Sequence, residues 1–86
     1  MLYSIYAMSM SRNSEDPVYN RIEEVRTKMG LTRQELAEKV GVHYQTIGYL
    51  EREEYSPSLV LALRISKTLN AEVSELFSLT SFKKGK

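Results

Sequence analysis

The sequence predicts an all-α fold, a compact domain of five short helices, with strand character confined to the ends of the chain. Three observations carry that expectation. Apolar residues recur at helical spacing through residues 22–77. Gly, Pro and Asn divide them at short, regular intervals. Thr32-Arg33-Gln34-Glu35 has the pattern of a capping box, which starts a helix.

The elements follow in order. Residues 1–16 form an N-terminal extension whose second half, SMSRNSED, is small, polar and charged and reads as a linker. Its first half, MLYSIYAM, alternates in a way that suits a strand, against the plainer readings of a loose extension or an upstream start ahead of Met8 or Met10. Pro17 opens the folded unit, residues 17–78. Ile22, Val25 and Met29 line the first helix, and Gly30 stops it. In the second, the Thr32 hydroxyl can accept from the Glu35 amide while the Glu35 carboxylate reaches back. Leu36, Ala37 and Val40 form its apolar stripe, and Gly41 ends it.

The third helix lies in GVHYQTIGYLER, residues 41–52, with Val42, Ile47 and Leu50 on its inner face. Tyr55-Ser56-Pro57-Ser58 breaks the chain, and Ser58 caps a fourth helix that ends near Leu69 and Asn70. Leu59, Ala62, Ile65 and Leu69 are expected on its core side, with Leu61 and Leu63 exposed and available for dimerisation. Ser74 is expected to cap a short fifth helix holding Leu76 and Phe77. Beyond it, the sequence to Phe82 reads as extended, and residues 79–86 form a basic tail ending in Lys83-Lys84-Gly85-Lys86.

Composition narrows the chemistry. The chain has 86 residues, enough for one small domain that buries about 60% of its unfolded surface, so pairing with a second copy would help its stability. It has no Cys and one His, which excludes disulfides and thiolate metal sites, and no Asp-rich calcium-type loop is present. No metal or cofactor is expected. Net charge is +1, from 12 Lys/Arg against 11 Asp/Glu, so affinity for nucleic acid must come from a local patch. No stretch reaches membrane length, and the chain reads as cytoplasmic.

Residues 31–52 carry the functional signal. A second helix of about eight residues joins the third through Gly41-Val42-His43, a short turn of the helix-turn-helix kind. Gly41 supplies the positive φ that other residues resist. With Ile47 and Leu50 inward, Tyr44, Gln45, Gly48 and Tyr49 must face out, where Lys and Glu are the usual choice. Gln can pair with an adenine edge, and Tyr can donate to a base or phosphate and lay its ring on a thymine methyl. Gly48 is expected to keep the middle of that face low.

At these residues the sequence resembles the Cro- and phage-repressor-like helix-turn-helix domain, also called the XRE family. The resemblance runs over residues 20–77 and rests on LTRQELAEKVGV, QTIGYLE and SPSLVLALRISKTL. It implies a repressor-like fold and a homodimer that sets two third helices in successive major-groove turns of a palindromic double-stranded DNA operator. It implies base contacts from Tyr44, Gln45 and Tyr49, and phosphate contacts from Thr32, Arg33, His43, Thr46, Arg52, Tyr55 and Ser56. Arg33 replaces the family's usual Gln, so a stronger phosphate contact and a lost brace to the third helix are expected. His43 replaces a Ser or Thr cap. Arg26 and Glu51 match an ion pair that some members bury. Glu53 and Glu54 read as a solvated acidic edge.

An enzyme is not expected: there is no Cys nucleophile, no phosphate-cradling loop, and no partner for the single His. Catalytic residues are therefore none. The resemblance points to a transcriptional repressor associated with the nucleoid through DNA. The alternative is an antitoxin or a transcriptional bridging module, which would use the same fold to hold a protein partner.

Overall fold

The computed structural model describes residues 18–82; the expectations for residues 1–17 and 83–86, including Pro17, MLYSIYAM and the terminal lysines, lie outside the described residues. The order is β1 (Tyr19–Asn20), α1 (Ile22–Lys28), α2 (Arg33–Val40), α3 (Tyr44–Glu51), α4 (Leu59–Leu69), α5 (Val73–Leu76) and β2 (Phe77–Ser78).

Local chemistry sets most helix boundaries. The capping box at α2 is complete: the Glu35 amide donates to Thr32 Oγ1 at 3.0 Å, and the Thr32 amide to Glu35 Oε1 at 2.8 Å. Gly41 ends α2 in the left-handed region at φ 80°, and its amide and that of Val42 both donate to the Ala37 carbonyl. Ser58 Oγ caps α4 by accepting from the Leu61 amide, and Asn70 ends that helix at φ 55°. The helix α1 has no cap from Arg21; Asn20 Oδ1 accepts from the Ile22 amide at 3.0 Å instead.

One core joins the helices. Ile22, Leu36, Val40, Ile47, Leu50, Ile65 and Leu76 are fully buried, and the small side chain of Ala37 sits among them where α2 meets α3. The ends of the folded unit meet in a two-stranded antiparallel sheet that pairs Tyr19 with Ser78 and Asn20 with Phe77. The segment after β2 turns back so that Arg21 lies over the Phe82 ring, 4.4 Å from its centroid.

Three sequence expectations need correction. Leu59 is 70% exposed and Leu61 is buried, the reverse of what was expected, while Leu63 is exposed as expected. At about 100° per residue, Leu61, Ala62, Ile65 and Leu69 share one stripe and Leu59 falls outside it. The cap of α5 is Glu72, whose amide donates to Glu75 Oε1 at 2.8 Å; Ser74 lies inside the helix. Phe77 belongs to β2, not to α5.

Candidate nucleic-acid interface

The outer face of α3 is built by subtraction. Ile47 and Leu50 are fully buried, which turns Tyr44, Gln45 and Tyr49 outward, the two tyrosines 48% and 46% exposed. His43 starts the helix with its imidazole: Nδ1 accepts from the Gln45 amide at 3.1 Å. That bond supplies the cap expected of Ser or Thr. The imidazole stacks on Tyr44 with ring centroids 4.6 Å apart, which orients the first residue of the face.

A shallow depression on this face is lined by Arg33, Tyr44, Gln45, Gly48, Tyr49 and Arg52. A second, beside it, is lined by Thr46, Tyr49, Glu54 and Tyr55. Seven of the ten sequence-predicted contact residues thus line these depressions: Arg33, Tyr44, Gln45, Thr46, Tyr49, Arg52 and Tyr55. Thr32 is exposed beside Arg33, with its hydroxyl committed to the α2 cap. Ser56 is exposed and lines neither depression.

The face is held by a single carboxylate. Glu51 Oε2 accepts from Arg26 Nε at 2.7 Å, and Oε1 accepts from Arg33 Nε at 2.7 Å and from Arg26 Nη2 at 3.3 Å. The Glu51 side chain is 1% exposed and that of Arg26 is 8%. Arg26 Nη1 also donates to the Leu31 carbonyl at 2.9 Å, so the buried guanidinium is well satisfied. The expected loss of a brace at Arg33 is overturned: Arg33 is long enough to reach the far end of α3 and braces it through Glu51. The hydrogen bond that Arg33 donates to Glu51, and then the charge of that carboxylate, raise the Arg33 guanidinium above its ordinary value. Among the described residues its terminal nitrogens take no other partner, so they stay free to face outward.

Gly48 also departs from expectation. It is buried, and a Cβ built there would lie 3.2 Å from Arg52 Nη1. The guanidinium of Arg52 therefore roofs the low point of the face. It sits 5.3 Å from the Tyr49 ring centroid, and its Nε is 3.3 Å from Glu54 Oε2. Sequence reasoning assigned Arg52 to the edge of the site; the i, i+4 spacing of Gly48 and Arg52 was the signal that it lies on the face itself. Glu54 is exposed but paired with Arg52, and Glu53, at φ 64°, accepts from the Asn20 amide at 3.4 Å.

Comparison with known proteins agrees with this geometry. The HTH_3 helix-turn-helix family model matches residues 22–76, the span from α1 through α5. An uncharacterized HTH-type transcriptional regulator of Archaeoglobus fulgidus is 51% identical over 57 residues, 66% of this chain and 81% of that protein. Another, from Methanothermobacter thermautotrophicus, is 52% identical over 59 residues, 67% of this chain and 86% of its own. Among solved structures, the restriction-modification controller protein C.AhdI from Aeromonas hydrophila is similar, with a TM-score of 0.61 and 34% identity over 64% of this chain and 83% of its own. The capped α2, the glycine turn, the outward face of α3 and these matches together identify the chain: it belongs to the XRE-type helix-turn-helix family of DNA-binding transcriptional regulators.

Proposed function

We propose that the protein is a sequence-specific repressor that binds a palindromic operator as a homodimer, with α3 in the major groove. The observation that carries this reading is a row of hydrogen-bonding side chains, Tyr44, Gln45 and Tyr49, exposed on a helix whose buried Glu51 holds it to α1 and α2. Gln45 is assigned to an adenine edge and the tyrosines to bases and thymine methyls. Thr32, Arg33, His43, Thr46, Tyr55 and Ser56 are assigned to phosphates, as the family pattern also assigns Arg52, and such contacts position the helix without reading sequence. Residues 17–78 act as the binding domain, 1–16 as an extension and 79–86 as a basic tail, and the protein works on DNA in the cytoplasm.

Dimerisation is supported by Leu59, Val60 and Leu63, which α4 leaves 70%, 58% and 51% exposed. The same residues favour the second reading, an antitoxin or bridging module that holds a protein partner. The similarity to HTH-type transcriptional regulators supports control of transcription over that alternative. Selection of bound fragments from a random duplex pool separates the two. An enriched palindrome supports the repressor reading, and its spacing gives the separation of the two α3 helices. A pool that stays random after repeated selection removes it.

A further inference from the structure

The geometry points to Arg52 as a base-reading residue, one that selects a guanine in each half-site, with Gly48 as the seat that allows it. The inference rests on the DNA-binding reading above and adds Arg52 to the base-reading set of Tyr44, Gln45 and Tyr49.

Arg52 follows the last residue of α3, a position from which a side chain can turn toward a phosphate or back along its own helix. Here it turns back. Its Nη1 lies over Gly48, 3.2 Å from where a Cβ would stand, so any larger residue at 48 would meet the guanidinium. Its carbon lies 5.3 Å from the Tyr49 ring centroid, within cation–π range. Both neighbours seat it on the face, where it lines one depression with Arg33, Tyr44, Gln45, Gly48 and Tyr49. The Arg52 side chain remains 52% exposed, so the guanidinium is supported without being buried.

The contact with Glu54 lies on the inner edge of the fork. Glu54 Oε2 lies 3.3 Å from Nε, the inner nitrogen of the fork. Nη1 and Nη2 have no hydrogen-bond acceptor among the described residues. Two parallel terminal N–H donors match guanine, which presents O6 and N7 together in the major groove; adenine presents a donor beside N7 and is rejected. A phosphate contact would need neither the glycine seat nor the aromatic neighbour.

The test uses the full chain and the duplex that wild type selects from a random pool. Each G·C pair of the half-site is replaced in turn by A·T, and binding is measured over a salt series for wild type, Arg52→Ala, Arg52→Lys and Gly48→Ala. Wild type should lose about 5- to 150-fold at one guanine. Arg52→Ala and Arg52→Lys should both lose that preference and keep the others, because lysine keeps the charge but not the fork. Gly48→Ala should weaken the same preference while melting at or above wild type, since its Cβ meets only the movable end of Arg52. The inference is overturned if Arg52→Lys keeps the full sequence profile, or if Arg52→Ala weakens all sequences equally and lowers the salt slope by about 0.9, the mark of a phosphate contact. A wild-type lane that enriches nothing overturns the DNA-binding reading itself, whereas a guanine preference untouched by the Arg52 variants overturns only this assignment.

Discussion

Arg33 Nε and Glu51 Oε1 lie 2.7 Å apart, joining the first residue of α2 to the last residue of α3. The other oxygen of the same carboxylate holds Arg26 of α1 at 2.7 Å. The start of α2 and the outer face of α3 are thus set relative to each other before any ligand arrives. Such preorganisation lowers the ordering cost of binding.

Glu51→Ala should be among the most destabilising single changes in the chain. It leaves the nearly buried Arg26 guanidinium without its carboxylate, a loss of about 3–5 kcal/mol. In a domain of this size each kcal/mol moves the melting temperature by about 4–8 °C. Thermal denaturation should therefore show a fall well beyond 10 °C, roughly the product of those two ranges. An unchanged melting temperature would refute the buried pair.

Arg33→Ala should separate stability from binding. Its side chain is 45% exposed, so its half of the network is solvent-screened and should contribute less than about 1 kcal/mol to folding. If its free nitrogens meet a phosphate, the dependence of log affinity on log salt should become shallower by about 0.9. Discrimination between operator and random DNA should stay as in wild type. A variant with an unaltered slope and altered discrimination would move Arg33 from the phosphate set to the bases.

Asn20→Ala tests a tie that links the sheet to α3. Asn20 Nδ2 donates to the Leu50 carbonyl at 2.7 Å, while Oδ1 accepts from the Ile22 amide at 3.0 Å. Alanine removes both; the Leu50 carbonyl keeps the Glu53 amide at 2.9 Å, but the part-buried Ile22 amide at the start of α1 loses its acceptor, at a cost of about 1–3 kcal/mol. Urea unfolding should show a lower midpoint with an unchanged slope. A midpoint equal to wild type would mean that water replaces both bonds without loss.

What was legible in the sequence was local. The Thr32–Glu35 capping box and the Gly41 stop involve neighbours within a few residues, so their chemistry can be read directly from spacing. The core side of α4 is legible at Ala62, Ile65 and Leu69 but not at its first turn, because Leu59 and Leu61 are equally apolar and only the docked position of the helix decides between them. The β1–β2 pairing brings Tyr19 to Ser78, and two-residue strands carry too little alternation to announce themselves. At the candidate site, the outward turn of Tyr44, Gln45 and Tyr49 followed from the burial of Ile47 and Leu50. The Arg33–Glu51 contact, 18 residues apart, did not, because it depends on how α2 and α3 cross. Gly48 looked open because a sequence does not say whether the Arg52 side chain lies back along its helix.

The two remaining face residues should behave differently from each other. Gln45 is exposed, so Gln45→Ala should lower operator discrimination by about 1–3 kcal/mol with the salt slope unchanged. Tyr49 has two attributes, a hydroxyl and a ring that lies beside the Arg52 guanidinium. Tyr49→Phe keeps the ring and should lose only what the hydroxyl reads. Tyr49→Ala removes the ring as well, so its loss should exceed that of Tyr49→Phe and should shrink when Arg52 is already alanine. Binding measured over this cycle gives the coupling directly. Strict additivity of Tyr49→Ala and Arg52→Ala would mean that the ring and the guanidinium act on DNA independently, despite their contact on the free protein.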